Sequence, residues 1–149
     1  MKKIISCALL FAGLPMLRSC GFMDNGAKRI TGLYKVQWID LPVLQTVCKE
    51  DKSNSNSCSI LVPEYVFSTG HNDSFIIVQQ HPVADFKHNH KVDTTITNYY
   101  IIDINKKFIK KNDGVAGPLN LKEFQKQQTA MKIENIQFTM NFGNDPNSQ

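Results

Sequence analysis

Residues 65–79 read YVFSTGHNDSFIIVQ, two β-prone runs on either side of a polar turn. Aromatic and β-branched side chains dominate residues 65–68 and 75–79, and both types favour strands. Between the runs, Gly-His-Asn-Asp at residues 70–73 supplies residue types that favour turns. The stretch therefore predicts an antiparallel β-hairpin.

Strand-forming patterns continue outward from this hairpin, at residues 33–39, 41–48, 58–62, 94–104 and 133–142. In the first of them, Tyr34, Val36 and Trp38 alternate onto one side, which is the expected core face. The runs at 41–48 and 58–62 flank a polar loop and are expected to pair as a hairpin. These patterns predict an antiparallel, β-rich domain.

A single helix is predicted after Asn120, which is a suitable N-cap residue with Glu123 three positions later, as in a capping box. Leu119 and Phe124 hold the positions of a hydrophobic staple. Apolar residues at helical spacing predict a stripe that faces a sheet: Leu121, Phe124 and Met131.

The N-terminus has the pattern of a secretory signal, with cationic residues 2–3 before a mostly apolar run at 4–17. As a helix, that run would rise about 21 Å, less than the roughly 30 Å of a bilayer's hydrocarbon core. A cleaved signal is therefore expected rather than a permanent membrane span.

The sequence Leu17-Arg18-Ser19-Cys20 resembles the lipobox of bacterial lipoproteins, although Arg18 departs from the small or uncharged residue usual at that position. The resemblance implies cleavage before Cys20 and diacylation of its thiol, which would anchor the chain to a membrane. The alternative is an ordinary signal peptide cut after Gly21, with Ser19 at the third position before the cut.

Cysteine usage also indicates export. With Cys7 removed and Cys20 acylated, Cys48 and Cys58 remain as a pair around the wholly polar residues 49–57. A disulfide between them would close this loop, as is common in oxidising compartments. The alternative is a pair of free thiols on adjacent strands.

Together these patterns predict an α+β fold: an antiparallel, β-rich single domain with one helix packed on the sheet, preceded by a lipoprotein signal peptide. The expected organisation is a signal peptide at 1–19, a lipidated tether at 20–29, a β-rich domain at 30–142 and a flexible tail at 143–149.

Charge argues against nucleic acid as a partner. The whole chain carries +4, but Lys2, Lys3 and Arg18 lie in the predicted signal, which leaves 14 of 17 basic residues against 13 acidic ones and a net charge of +1. Binding to a phosphate backbone is driven by many Lys and Arg side chains that displace counterions. The near-neutral mature chain lacks that driving force.

Several short motifs occur together: residues 72–77 (NDSFII), 98–103 (NYYIID) and 117–119 (GPL), with Glu123 and Phe124 following. This set resembles small bacterial lipoproteins that form a family of unknown function, and Gly32 and Tyr34 resemble the family's opening strand. The resemblance covers most of the mature chain. It implies a secreted β-rich domain and supplies no activity.

Candidate chemistry is sparse. His81, His88 and His90, with Asp85, form the densest group of possible metal ligands, but their polar segment favours solvated loop histidines, and no metal or other cofactor is expected. Five acids lie at predicted element ends, where turns and caps favour them: Asp40, Asp73, Asp103, Asp113 and Glu123. No catalytic motif is present and a Cys48 nucleophile conflicts with the disulfide, so we expect no enzyme.

The expected function is that of a non-catalytic binding or accessory module of the bacterial cell envelope, facing the periplasm or the exterior. Its expected partners are a membrane, through acyl chains on Cys20, and an unknown envelope protein. The alternative is an inhibitor or immunity-type protein directed against a secreted enzyme.

Overall fold

The computed structural model describes residues 25–40, 44–53, 57–85, 91–106 and 113–143. These residues form β1 Gly26–Thr31, β2 Tyr34–Trp38, β3 Thr46–Glu50, β4 Cys58–Val62, β5 Val66–His71, β6 Phe75–Gln80, β7 Val83–Asp85, β8 Lys91–Val92, β9 Asn98–Asp103, β10 Val115–Leu119, α1 Leu121–Met131 and β11 Met140–Asn141. The predicted signal peptide, residues 1–19, lies outside them.

Within the described ranges the strands form three sheets, ordered β1-β2-β3-β4, β10-β9-β6-β5-β11 and β7-β8. Every strand pair is antiparallel. The expected α+β class, a β-rich single domain with one helix, is confirmed.

The hairpin predicted over residues 65–79 is confirmed as β5 and β6, in which Thr69 pairs with Val78. Its turn is fixed by Asn72, whose side-chain oxygen accepts hydrogen bonds from the backbone N–H groups of Ser74 (2.9 Å) and Phe75 (2.8 Å). Asparagine stabilises turns in this way because its side chain replaces a backbone acceptor.

Two hydrophobic cores lie on opposite faces of the five-stranded sheet. The first core fills the space between the two large sheets with Ile30, Tyr34, Val36, Val47, Val62, Val66, Ile76, Val78, Tyr100 and Ile102. The second core lies between the five-stranded sheet and the layer formed by α1 and the segment after it. It contains Ile77, Ile101, Phe124, Ile133 and Ile136. Because β6 and β9 contribute to both cores, their apolar runs are continuous rather than alternating. The domain is therefore built in three layers, sheet, sheet and helix.

The capping box predicted at the start of α1 is confirmed. The side-chain oxygen of Asn120 accepts from the N–H of Glu123 at 3.0 Å, and the Glu123 carboxylate accepts from the N–H of Asn120 at 3.0 Å. Phe124 is buried and stacks on Tyr99 with ring centroids 4.7 Å apart.

The predicted apolar stripe of α1 is wrong except at Phe124, because Leu121 and Met131 are exposed. The chain that follows the helix explains this difference. Ile133 and Ile136 are buried in the second core, where they cover sheet area that the stripe was expected to cover.

The long final strand predicted over 133–142 is also wrong, since strand pairing is limited to Met140–Asn141 on the edge of β5. Lys132 ends α1 in a left-handed conformation, with φ 57°. A turn follows, in which the N–H of Ile136 bonds the carbonyl of Ile133 at 3.1 Å. The chain then crosses so close to β5 that a Cβ on Gly70 would lie 1.9 Å from the carbonyl oxygen of Gln137.

The predicted boundary of the tether also shifts, because residues 26–29 belong to β1. Gly26 pairs with Trp38, whose ring occupies the space that a Cβ on Gly26 would need. Residues 27–29 are exposed and Ile30 alone is buried in this strand. An edge strand needs few apolar residues, so a polar and glycine-containing sequence can still pair with its neighbour.

Candidate functional site

The predicted disulfide is confirmed: Cys48 and Cys58 are bonded, with their Cα atoms 5.7 Å apart. Cys48 pairs with Ile60 in the ladder and Cys58 with Glu50, so the bond crosses diagonally from β3 to β4. Beside it, the N–H of Asp51 bonds the carbonyl of Ser57 at 3.0 Å. The bond and this backbone contact together close the neck of the polar loop.

A charged cluster lies next to the disulfide. The carboxylate of Glu50 accepts from Arg29 at 2.8 Å and from Lys35 at 3.0 Å, which connects β1, β2 and β3. Hydrogen bonds from Arg29 and then from Lys35 lower the pKa of Glu50. Since its three members satisfy one another and only Arg29 is largely exposed, we assign the cluster to the structure of the sheet.

His81 is the one member of the predicted histidine group whose side chain is described. It is buried, stacks on Phe67 at 4.3 Å, and has Nδ1 2.8 Å from the carbonyl oxygen of Ile96. A carbonyl oxygen only accepts, so the hydrogen is on Nδ1. His81 Nε2 is buried with no hydrogen-bond partner.

The structure gives no side-chain positions for the remaining members of that group. His88 and His90 lie outside the described residues, and Asp85 is described only as the end of β7. In the parts of the chain that the structure covers, no three His, Cys, Asp or Glu side chains assemble into a possible metal site. The expectation that these histidines bind no metal stays a prediction.

A small cavity of about 120 Å³ opens where β6 begins, β9 ends and α1 ends, and it is lined by Phe75, Ile101, Asp103, Lys106, Gly114, Val115, Ala116 and Met131. Asp103 is fixed there, since its Oδ1 accepts from the N–H of Asn105 at 3.0 Å and its own N–H donates to Gly114 at 2.8 Å.

The lining of the cavity combines apolar side chains with one acid and one base. Phe75, Ile101 and Met131 supply apolar surface, while Asp103 and Lys106 supply opposite charges. Sequence reasoning placed Asp103 at the end of a strand, which is correct, but did not find the cavity. Lys106 and Met131 are far apart in the sequence, and only the path of α1 over the sheet brings them together.

Other acids occupy the element ends predicted for them. Asp40 has a positive φ of 69° just after β2, where its N–H donates to the side chain of Asn25 at 3.1 Å. Asp73 lies in the turn between β5 and β6, and Asp113 precedes the turn at Gly114. These positions have structural explanations.

The strands of the two packed sheets end at two opposite ends of the domain. At the first, here called the Gly26 end, Gly26 pairs with Trp38, and the neighbouring Gln37 pairs with Thr46 at the start of β3. Just before Thr46, the carbonyl of Gln45 accepts from the N–H of Val66 at 3.0 Å, so the same end continues into the five-stranded sheet at the start of β5. The opposite end, here called the Asp103 end, contains the cavity. The N-terminal residues that precede the domain therefore join it at the end away from the cavity.

No helix in the described ranges has the length and apolar character needed to cross a membrane.

A family described as "Protein of unknown function (DUF3997)" matches residues 31–143. The chain belongs to this family. The DUF3997 match begins at the last residue of β1 and ends just after β11, so it spans nearly the whole folded domain. It confirms the resemblance to a family of unknown function. No curated protein and no solved structure matches the chain.

Proposed function

We propose that this DUF3997 protein is a lipoprotein of the bacterial cell envelope, anchored through acyl chains on Cys20, whose folded domain binds a partner and catalyses no reaction. The Cys48–Cys58 disulfide is the observation that carries this proposal. Structural disulfides persist mainly in proteins exported to oxidising compartments. The lipobox-like residues 17–20 supply the corresponding export and anchoring signal.

The direction of the domain supports a partner on the side away from the membrane. Cys20 precedes β1 by only a few residues, so its acyl chains would hold the Gly26 end towards the bilayer. The Asp103 end, with its cavity, would then face away from the membrane. We propose that the partner contacts this end, with an apolar group in the cavity beside Asp103 and Lys106.

Acylation of Cys20 is tested directly by metabolic labelling with an alkyne fatty acid. We expect label on the wild-type chain and on Cys7→Ala, which retains the acylated thiol, and none on Cys20→Ala. Equal labelling of Cys20→Ala, or a mature chain that begins at Phe22, would contradict the anchor.

Binding at the Asp103 end is tested by crosslinking the anchored, full-length chain in cells and identifying what is captured. Lys106→Glu should reduce capture, because it reverses a charge at the cavity, whereas the same change at the exposed helix residue Lys126 should not. Equal loss in both variants, or in neither, would contradict the assigned surface.

The same capture separates the accessory role from the alternative. Recovery of peptidoglycan or of envelope assembly machinery supports an accessory module. Recovery of one secreted enzyme in stoichiometric amount, with loss of its activity on binding, supports an inhibitor or immunity protein instead.

A further inference from the structure

Large apolar side chains that are substantially exposed are unevenly placed on the domain. Among the described residues, five such side chains have exposed fractions of 41–59%, namely Ile39, Ile60, Ile96, Leu121 and Met131. Single exposed apolar side chains are ordinary, but several at one end of a small domain indicate a contact surface.

Three of the five lie at the Gly26 end. Ile39 follows Trp38, which pairs with Gly26. Ile96 precedes β9, and its carbonyl accepts from His81 just after β6. Leu121 starts α1 directly after β10, whose Leu119 pairs with Tyr99 near the start of β9.

The two other side chains lie elsewhere. Ile60 is in the middle of β4, where it pairs with Cys48. Met131 lines the cavity at the Asp103 end.

We propose that the Gly26 end docks on the surface of the lipid bilayer through Ile39, Ile96 and Leu121. This inference rests on the proposed anchoring of Cys20 and adds to it a second, non-covalent contact with the membrane. The domain is then held against the bilayer in one orientation, with the Asp103 end outward.

The reach of the chain favours the bilayer as the occupant of this surface. Six residue steps separate Cys20 from Gly26, the first residue of β1, and a fully extended chain covers at most about 3.6 Å per residue, or roughly 22 Å. An acylated Cys20 therefore keeps Gly26, and with it the nearest part of the Gly26 end, within roughly that distance of the lipid. A surface confined so near the membrane meets lipid at a high effective concentration.

The charges at this end favour contact with apolar lipid over binding to charged headgroups. Asp40 adjoins Ile39, and Lys122 adjoins Leu121, so exposed charges of both signs flank the apolar side chains. Docking should therefore depend little on salt and should occur on zwitterionic bilayers. Removing one half-exposed isoleucine should lower the ratio of docked to undocked domain about five-fold.

Trp38 is a built-in reporter, because it is the single tryptophan of the chain and lies at the Gly26 end. The experiment reconstitutes the full-length, acylated protein into phosphatidylcholine vesicles whose acyl chains carry bromine, which quenches indole emission at close range. We expect Trp38 emission to fall relative to vesicles of ordinary phosphatidylcholine, equally in low and high salt.

Ile96→Ser and Ile60→Ser form a matched pair, since the exposed fractions of the two wild-type side chains are 49% and 50%. Ile96→Ser should recover part of the lost Trp38 emission, as an about five-fold lower ratio of docked to undocked domain requires, and Ile60→Ser should recover none. Leu121→Ser should act like Ile96→Ser. Because all three side chains are half exposed, melting temperatures should stay close to that of the wild type.

The outcomes separate the two proposals. An acylated, vesicle-bound protein whose Trp38 emission is unaffected by brominated lipid overturns the docking and leaves the anchor standing. Equal recovery in Ile96→Ser and Ile60→Ser also overturns the docking. A mature chain without acyl groups on Cys20 overturns both the anchor and the docking that rests on it.

Discussion

The two cores of this domain are closed in different ways. The first lies between two sheets and is sealed from both sides by regular strands, so that Val36, Val47, Ile76 and Ile102 are fully buried. The second is covered by one helix residue, Phe124, and by the irregular segment that holds Ile133 and Ile136. Regular strands on both sides make the first core cooperative, whereas the cover of the second depends on few contacts.

This difference predicts that the second core can open while the first stays intact, because local stability follows the number of buried apolar contacts.

Phe124→Ala should have the largest effect. It removes the one buried side chain of α1 and its stacking on Tyr99, and we expect a loss of about 4 kcal/mol in local or global stability. Hydrogen exchange should show α1 amides losing protection while amides of β2 and β3 keep theirs. Equal loss of protection in α1 and in these strands would show that the two cores unfold as one unit.

Removing the disulfide should lower stability through the four-stranded sheet, which contains β3 and β4 and does not contact the second core. The double variant Cys48→Ala, Cys58→Ala opens a loop whose ends are ten residues apart. The chain-entropy model gives a fall of about 3 kcal/mol in the free energy of unfolding. Denaturant unfolding measures the change, with chemically reduced wild type as the comparison. We expect α1 to keep its relative protection; preferential exposure of α1 would be evidence against independent cores.

Alkaline pH should weaken the first core through Tyr34. Burial, and then the charge of Asp103, raises the pKa of Tyr34 from 10.0 to about 12. The unfolded chain therefore loses this proton first, and the free energy of unfolding should fall between pH 10 and about pH 12, by roughly 1.5 kcal/mol after allowance for solvent screening.

Urea unfolding across that range is the measurement, with Tyr34→Phe as the control because it has no phenol to ionise. Tyr34→Phe should show a smaller decline than the wild type. Parallel declines in both proteins would assign the effect to other groups, among them Tyr100, whose pKa burial also raises.

Loss of the capping box should destabilise the second core modestly. Asn120→Ala removes the acceptor for the N–H of Glu123 and should cost about 1 kcal/mol. Asn120→Asp should restore most of it, because aspartate caps equally well. If Asn120→Ala changes neither thermal stability nor exchange in α1, the cap does not limit the opening of this layer.

The smallest effect is expected at Leu121, which sequence reasoning placed in the core. Since the side chain is half exposed, Leu121→Ser should change the stability of the domain by less than about 0.5 kcal/mol. Thermal unfolding beside Phe124→Ala gives the contrast directly. A loss comparable to that of Phe124→Ala would mean that the apolar stripe packs in solution as the sequence suggested.

Local patterns predicted the turns and helix caps better than they predicted which side chains fill the second core. The turn within residues 65–79 is stabilised by Asn72, which bonds a backbone N–H two residues later. The capping box likewise joins Asn120 and Glu123, three residues apart. Both features depend only on residues that are close in sequence. Burial in the second core is a competition for one sheet face. Ile133 and Ile136 pack on that face, whereas Leu121 and Met131 stay exposed. The local sequence pattern does not indicate which of the two pairs is buried.

The same limit applies to the candidate sites. The disulfide was predictable because Cys48 and Cys58 flank an unmistakable polar loop. The cavity was not, because it joins residues from β6, β9, β10 and α1 that meet only in the tertiary fold. The start of β1 was missed because an edge strand requires little apolar sequence.

The crossing of the chain over Gly70 has a consequence for the order in which the domain can be completed. β11 covers the edge of β5 some seventy residues after that strand is synthesised, and the carbonyl of Phe142 accepts from the side chain of Gln45 at 3.3 Å. A chain that is exported behind an N-terminal signal emerges N-terminus first, so the five-stranded sheet is closed by nearly the last residues of the domain to appear. Until Met140 is available, the edge of β5 is an open template for pairing with other chains.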